Sequence, residues 1–364
     1  MNKKSLGIYV HIPFCQRKCL YCDFNSYDHK NNLKETYTKA LIQEIGAFCA
    51  EEYFVDSIFF GGGTPTALPL PLLDEILGAI SSKFTISNDA EISCETNPGV
   101  LKDHSPLREI GFNRLSMGMQ STHDEELKKL GRIHTYDEFL VSYDNAHGVF
   151  ENINIDTMFA LPDQTVESWK TTLDRVKSLD PTHVSCYSLI VEEGTPFGEM
   201  ELNLPQEDAD REMYHMIENI LSGYYKYEIS NFAKPGNECK HNNKYWQLMP
   251  YIGFGCGAHS QLDNTRFSNA YDIGEYIKNP LYKDITELSK NDKISEYIFL
   301  GLRLTQGVNK QQFRKLFGQD IDSLFKDVIK KHTLAQTLIS DENHIALTGR
   351  GIDISNSVMA DFIL

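Results

Sequence analysis

The order of hydrophobic and polar positions alternates short apolar runs with longer amphipathic segments from about residue 8 to residue 232. Residues of high β-propensity predict seven strands, at 8–12, 55–60, 91–95, 114–117, 152–158, 183–189 and 227–230. Helical periodicity predicts the intervening helices near 33–53, 69–82, 136–150, 166–179 and 208–223. Because repeated strand-then-helix units place their strands in parallel, we expect an α/β fold, a partial or complete (β/α) barrel.

This rhythm stops after residue 232, which predicts a change of architecture in the last third of the chain. A Gly- and aromatic-rich segment follows, in which the loop at 253–259 is expected to close over the barrel mouth. The final block reads as helices at 294–304, 310–317 and 321–331 with a β-like pair at 337–347, a pattern that resembles a winged helix. The expected division is therefore a barrel at 1–232, a lid or connecting segment at 233–285 and a mainly helical C-terminal domain at 286–364.

Three of the predicted strands alternate strictly between apolar and polar side chains. One face of each strand is then expected to pack on the helices and the other to point into the barrel. This parity directs Glu95, Gln120 and Asp156 toward one interior, at the strand ends where barrel chemistry takes place. A bound polar nucleoside would satisfy these groups, and a hydrated barrel mouth is the alternative.

Composition narrows the class of partner. The chain has 35 Lys and Arg against 51 Asp and Glu, a net charge of −16, which argues against binding nucleic acid by bulk charge. We find no apolar run long enough for an integral membrane segment and no pattern of an export signal near the start, so we expect a cytoplasmic protein. In that compartment the eight cysteines are expected to be free thiols or metal ligands.

Three of these cysteines, Cys15, Cys19 and Cys22, follow the first predicted strand at C-x3-C-x2-C spacing. Loops this short let three sulfurs face one metal centre. A structural zinc ion would need a fourth ligand, and the nearest candidates, His11 and Cys49, lack ligand-like spacing. A four-iron cube held by three thiolates keeps one iron open for a small molecule.

This spacing, with Tyr21 before the third cysteine, resembles the signature of the radical S-adenosylmethionine (SAM) superfamily. The resemblance implies a [4Fe-4S] cluster whose open iron chelates SAM and whose electron cleaves it to a 5′-deoxyadenosyl radical. It also implies contacts to SAM from a set of matching positions: Tyr9, Tyr21, Gly62, Gly63, Thr64, Glu95, Gln120, Arg132 and Asp156. For the glycine run at 61–63 taken alone, a tight strand-to-helix turn is the alternative.

The amino-acid sequence of four segments, at 9–15, 61–66, 227–231 and 241–246, resembles that of the oxygen-independent coproporphyrinogen III oxidases and their relatives. That group contains porphyrin-biosynthesis enzymes, which decarboxylate coproporphyrinogen III to protoporphyrinogen IX, and heme chaperones, which carry heme to acceptor proteins. The oxidases have a further cysteine at the position of Phe24 and a longer segment before the cluster motif, so the chaperone type is favoured. Whether the chain is an enzyme stays open.

The chaperone resemblance implies further ligands and partners. The H-N-x-x-Y-W motif would place heme at His241, Tyr245 and Trp246. Heme-acceptor proteins and a low-potential electron donor of the flavodoxin or ferredoxin type would be the partners.

Overall fold

The computed structural model describes residues 3–364. Its dominant feature is one twelve-stranded sheet, in the order β12-β11-β10-β9-β1-β2-β3-β4-β5-β6-β8-β7. The strands are β1 (Lys4–Ile12), β2 (Tyr53–Gly62), β3 (Thr85–Thr96), β4 (Arg114–Gln120), β5 (Asn152–Phe159), β6 (His183–Ser188), β7 (Tyr225–Lys226), β8 (Asn231–Ala233), β9 (Tyr251–Phe254), β10 (His259–Leu262), β11 (Thr265–Ser268) and β12 (Asp284–Glu287).

The six strands β1 to β6 pair in parallel and in chain order, which confirms the α/β class and the partial barrel. Helices connect successive strands and pack against them in one apolar cluster. The helices of this region are α1 (Lys34–Ala47), α2 (Leu70–Lys83), α3 (Ser105–Ile110), α4 (Asp124–Lys129), α5 (Tyr136–His147), α6 (Val166–Leu179) and α7 (Glu207–Ile220).

The prediction of a seventh strand at 227–230 is wrong. The chain instead forms the short strands β7 and β8 on either side of it, and β8 runs antiparallel to β6. The predicted strand forms a bend because its residues turn toward the C-terminal block, where the Ile229 amide donates to the Arg303 carbonyl at 3.1 Å. The parallel part of the sheet therefore ends at six strands.

The segment at 233–285, for which the sequence predicted a loop-rich lid, contributes three strands and the start of a fourth, β12, to the same sheet. Within it, β9 pairs in parallel with β1, and β10 to β12 follow as an antiparallel extension. Of the loop predicted at 253–259, the first two residues belong to β9 and the last begins β10. Two helices complete the segment, α8 (Lys240–Trp246) and α9 (Ile273–Lys278).

The C-terminal block is mainly helical and has its own apolar core around Ile298, Phe313 and Ile345. The predicted helix at 310–317 is confirmed, and the one at 321–331 is divided in two at Phe325. The elements are α10 (Lys290–Gly301), β13 (Val308–Asn309), α11 (Lys310–Phe317), α12 (Ile321–Leu324), α13 (Lys326–Leu334), β14 (Leu338–Ser340), β15 (His344–Leu347), α14 (Gly349–Asp353) and α15 (Ser355–Ala360).

The alternation predicted for β3, β4 and β5 is confirmed on the helix-facing side. Cys94, Leu115 and Ile153 are buried in the main apolar cluster beneath the helices. Their polar neighbours therefore point the other way, into the concave side of the sheet. No helix formed by residues 3–364 has the length and apolar character to cross a membrane.

Candidate cofactor site and adjoining cavity

The three clustered cysteines lie in the loop that leaves the carboxyl end of β1. Cys15 is buried, and Cys19 and Cys22 are half-buried. Backbone bonds fold the loop, from the Cys15 amide to the Tyr27 carbonyl at 3.0 Å and from the Cys22 amide to the Cys19 carbonyl at 3.3 Å. Burial raises the pKa of the Cys15 and Cys22 thiols, and the proximity of the other thiols in the triplet raises it further. The sequence motif is thus one local cluster of thiols.

Three thiols in one short loop have the ligand chemistry of an iron–sulfur cube. Across residues 3–364, no three His, Cys, Asp or Glu side chains are placed to share a single metal ion. A cube binds each thiolate at a different iron, so its ligands need not meet at one point, unlike those of tetrahedral zinc.

The glycine run at the end of β2 packs against this loop. The amides of Gly63 and Thr64 donate to the carbonyls of Ile12 and Phe14 at 2.9 and 2.8 Å, and the Thr64 hydroxyl contacts Cys15 Sγ at 3.7 Å. A Cβ at Gly63 would lie 2.8 Å from the Phe14 carbonyl oxygen, so only glycine allows this approach. Gly62 has a φ of +108°, a conformation that glycine adopts without strain.

Arg132 contacts the cysteine loop as well. Its Nη1 contacts Cys19 Sγ at 3.5 Å and its Nη2 donates to Asn97 Oδ1 at 2.7 Å and to the Gly118 carbonyl. Its Nε is buried and lacks a partner within the described residues. The guanidinium is therefore in contact with one of the three clustered sulfurs.

Glu95 and Asp156 lie together in the polar interior, as their strand parity predicts. Burial raises the pKa of Glu95 to about 8, and the neighbouring charge of Asp156 adds to the effect. Burial also raises the pKa of Asp156, although Ser116 and Asn154 donate to its carboxylate at 3.0 and 2.8 Å. Both carboxyls line a polar cavity of about 120 Å³ that also contains Arg114.

This interior has the chemistry that SAM requires. A pair of buried carboxyls is stabilised by a cationic ligand, and SAM carries an ammonium and a sulfonium group. Arg132 offers a complementary cation close to the cysteines. The structure brings parts of the predicted SAM set together: Tyr9, Gly62 and Glu95 line one cavity, Glu95 and Asp156 a second, and Thr64 and Arg132 a third. Gln120 adopts a φ of +69° beyond a register shift in β4, and Tyr21 packs near Phe197.

Helix α8, which carries the H-N-x-x-Y-W motif, is fastened to the barrel strands. The Glu91 carboxylate accepts from the amides of Lys240 and His241 at 3.0 and 3.2 Å, which satisfies the first turn of the helix. On the same side, Lys244 Nζ forms an ion pair with Asp56 at 2.6 Å. The helix therefore has a fixed position on β2 and β3.

His241 is fully buried beneath the helix. Its Nδ1 bonds the Ser57 hydroxyl at 3.1 Å, its Nε2 bonds the Tyr245 hydroxyl at 2.8 Å, and its ring stacks on Phe59. Burial lowers the pKa of His241 to about 3, so the ring is neutral at neutral pH. Both ring nitrogens are used inside the protein, and His241 fixes the orientation of Tyr245.

The last two residues of the motif open onto a cavity of about 530 Å³. Tyr245 and Trp246 line it, as do the predicted SAM contacts Tyr9, Gly62 and Glu95. His241 is not part of the wall. The remaining wall is mostly aromatic, amide or basic and includes Phe24, Tyr251, Tyr271, Asn25, Gln261, His11, His259 and Arg266.

Several of these wall residues were not predicted as site residues. His259 and Arg266 reach the cavity only because β9 extends the sheet beside β1, a long-range pairing that local patterns do not reveal. Arg114, in contrast, could have been found. It shares strand parity with Ser116, so the alternation that directs Ser116 inward also directs Arg114 inward.

Comparison with known proteins gives the family. The Radical SAM superfamily profile matches residues 9–176, and the HemN C-terminal domain profile matches residues 288–354. The chain is 38% identical over 372 residues to the heme chaperone HemW of Bacillus subtilis and 32% identical over 380 residues to that of Escherichia coli. Each alignment covers 98% of both chains.

Among solved structures, the coproporphyrinogen III oxidase HemN of Escherichia coli, a radical SAM enzyme, has a TM-score of 0.88 at 24% identity. The match covers 100% of this chain and 91% of HemN, and it shows that the two share a fold. The sequence relatives go further, because they align from end to end at higher identity. The chain belongs to the radical SAM superfamily and, within it, to the HemW family of heme chaperones.

Proposed function

We propose that this chain binds heme in the 530 Å³ cavity and transfers it to acceptor proteins. The observation that carries the proposal is the position of Tyr245 and Trp246, whose helix is fastened to the barrel so that both rings face the cavity. The relatives named heme chaperones match the chain over its whole length. The cavity volume falls in the range of cofactor pockets.

The wall of the cavity suits a flat, largely apolar macrocycle with acidic substituents. Phe24 and Tyr271 expose 62% and 64% of their surface on its rim. Aromatic rings with this much exposed surface favour ligand binding, because removing them from water lowers the free energy of the complex. Arg266 supplies a cation on the same wall, and only its Nη2 is engaged, by Gln261 at 3.0 Å and Glu296 at 2.8 Å. Its other N–H groups could receive a heme propionate.

In this proposal the three motif residues have different roles. Tyr245 and Trp246 contact heme directly. His241 positions Tyr245, since its ring is buried and both its nitrogens are already bonded. The heme site predicted from the motif is therefore retained, with His241 as a positioning residue.

The cofactors of the superfamily occupy the neighbouring strand ends. Membership in the radical SAM superfamily brings a [4Fe-4S] cluster and SAM, which together supply one-electron chemistry when bound. We propose that Cys15, Cys19 and Cys22 hold the cluster. The SAM-contacting set is proposed as predicted, namely Tyr9, Tyr21, Gly62, Gly63, Thr64, Glu95, Gln120, Arg132 and Asp156. Within it, Glu95 faces the ammonium group and Arg132 the carboxylate.

Three of the proposed SAM contacts, Tyr9, Gly62 and Glu95, also line the heme cavity. Because these residues belong to both proposed sites, the two ligands would be neighbours. We therefore propose that the cluster and SAM bind beside the heme in the loaded chain. A flavodoxin- or ferredoxin-type donor would supply electrons to the cluster, and heme would pass to an apo-acceptor. Reducing conditions, as in the cytoplasm, fit the eight unpaired cysteines.

A heme titration of the full chain, prepared anaerobically with its cluster, tests the proposal. One heme per chain is expected, followed by absorbance, with an affinity about tenfold lower in Trp246→Ser and in Tyr271→Ser. Tyr282→Ser is the matched control, because Tyr282 is also an exposed tyrosine but lies outside the cavity wall. Equal affinity in all four proteins would contradict the site, and no uptake by the unaltered chain would contradict the function.

A further inference from the structure

Heme iron needs an axial ligand, and the wall of the large cavity supplies a short set of candidates. Histidine, cysteine, methionine and tyrosine are the side chains that ligate heme iron. Neither cysteine nor methionine lines this cavity in the described part of the chain. The candidates are therefore two histidines, His11 and His259, and four tyrosines.

His11 is already engaged. It is buried, its Nε2 bonds the Asn25 carbonyl at 2.8 Å, and its Nδ1 bonds the Tyr9 hydroxyl at 3.0 Å. Ligation through either nitrogen would break one of these buried bonds. The Tyr9 and Tyr245 hydroxyls are engaged as well, by His11 and His241. Tyr251 and Tyr271 also line the cavity, but a tyrosine must lose its hydroxyl proton before its oxygen binds iron as a phenolate, which disfavours it against a neutral imidazole.

His259 has the opposite properties. It is exposed on the cavity wall, and neither of its ring nitrogens bonds another group within residues 3–364. Partial burial, followed by the nearby charge of Arg266, lowers its pKa below the ordinary value. The ring is therefore neutral at neutral pH, and a neutral imidazole has the lone pair that binds iron.

The backbone holds His259 in place. It is the first residue of β10 and pairs with Ser268 of β11. The carbonyl of His259 lies so close to Gly253 of β9 that a Cβ there would approach within 2.3 Å of its oxygen. A ligand on a strand fixed in this way is pre-organised, so little conformational entropy is lost on binding.

The same hairpin carries the cation of the site. Arg266 lies on β11, two residues from the partner of His259, and lines the same cavity. One β-hairpin thus presents an imidazole for a metal and a guanidinium for a carboxylate. Iron and propionate occur together in heme.

We propose that His259 is an axial ligand of the heme iron, in the cavity that Tyr245 and Trp246 also line. This inference rests on the proposed heme-binding function and adds the identity of the ligand. The cavity, the two unbonded ring nitrogens and the fixed hairpin support it.

Ligand substitution in the heme-loaded, cluster-containing full chain tests the proposal. The Soret band and the electron paramagnetic resonance spectrum report the axial ligand directly. The unaltered chain is expected to show histidine ligation, His259→Ala to lose it with at least a tenfold loss of heme affinity, and added imidazole to restore it. His259→Cys is expected to give the spectrum of thiolate ligation.

Two controls separate ligation from folding. His215→Ala removes an exposed histidine on α7, outside the cavity, and is expected to keep the spectrum. His241→Asn is expected to lower the affinity for heme, because Tyr245 loses its support, while the spectrum still shows histidine ligation. An unchanged spectrum in His259→Ala would overturn the assignment while heme binding itself stands. Failure of the unaltered chain to take up heme would overturn both the function and the ligand.

Discussion

The Nε2 atom of His241 lies 2.8 Å from the hydroxyl oxygen of Tyr245, one helical turn further along α8. The imidazole of His241 is fully buried, so this hydrogen bond lies inside the protein and holds the tyrosine of the motif in place. The order of residues in H-N-x-x-Y-W thus has a physical reason. Positions i and i+4 share one face of a helix, so the two side chains can meet.

Removing the Tyr245 hydroxyl should therefore cost stability. Tyr245→Phe leaves a buried nitrogen of His241 without a partner, and we expect the free energy of unfolding to fall by about 1–3 kcal/mol. Urea unfolding measures this. Tyr271→Phe is the control, because its ring is exposed, and a change within about 0.5 kcal/mol is expected there. Equal losses in the two variants would contradict the supporting role of His241.

Arg303 should stabilise the fold through its contacts with Trp246 and Glu228. Its guanidinium lies 4.4 Å from the centre of the Trp246 ring, and its Nη2 lies 3.6 Å from the carboxylate of the fully buried Glu228. Arg303→Met leaves Glu228 without its cation, and we expect a loss on the order of 2 kcal/mol in the free energy of unfolding. The double variant with Glu228→Gln should lose less than the sum of the single variants, and strict additivity would show that the pair is not coupled.

The stability of the SAM-free protein should fall as the pH rises. The pKa of Glu95 is raised to about 8 in the fold, whereas an unfolded glutamate titrates near 4.5, so between these values the folded state holds a proton that the unfolded state has lost. The slope from this residue is at most about 1.4 kcal/mol per pH unit. Glu95→Gln should remove this slope in urea titrations from pH 5 to 8.

Asp156→Asn is the matched control for that experiment. It removes the neighbouring charge that contributes to the raised pKa of Glu95, while burial remains. The upper end of the pH window should therefore move to lower pH without disappearing. A pH dependence that is the same with and without Glu95 would contradict the assigned cause.

The cysteine triplet should account for all of the bound iron–sulfur cluster. After anaerobic reconstitution, the unaltered chain is expected to hold about four irons and four sulfides, and Cys15→Ser, Cys19→Ser and Cys22→Ser should each lose most of them. Cys49→Ser is the control, because Cys49 is an exposed thiol on the loop after α1. Iron retained in the triplet variants, or zinc in place of iron, would contradict the cluster assignment.

The sequence predicted those parts of the site that depend on residues close together in the chain, and it missed those that depend on residues far apart in the chain. Alternation along single strands placed Glu95 and Asp156 in one interior, because a period of two is a local property. The spacing of Cys15, Cys19 and Cys22 is equally local. The bond between Ser57 and His241 joins residues 184 positions apart, and the pairing of β9 with β1 brings in His259. Contacts of this kind depend on the tertiary fold, which no local pattern encodes.

The fold shows the same division. The strand-then-helix rhythm predicted β1 to β6, since each unit determines its own handedness and direction. It failed at 227–230, where the backbone pairs with the C-terminal block through Ile229 and Arg303. A partner that lies more than 70 residues away in the chain cannot be inferred from the residues of the bend.

A single assay on coproporphyrinogen III tests the central claim most directly. The cluster-loaded chain is incubated anaerobically with reductant, SAM and coproporphyrinogen III, and the porphyrin products are separated and quantified. A heme chaperone is expected to give no protoporphyrinogen IX above that of the Cys19→Ser variant, while the same preparation binds one heme per chain. Decarboxylation of the porphyrinogen in proportion to the SAM consumed would contradict the account and identify the chain as an oxidase.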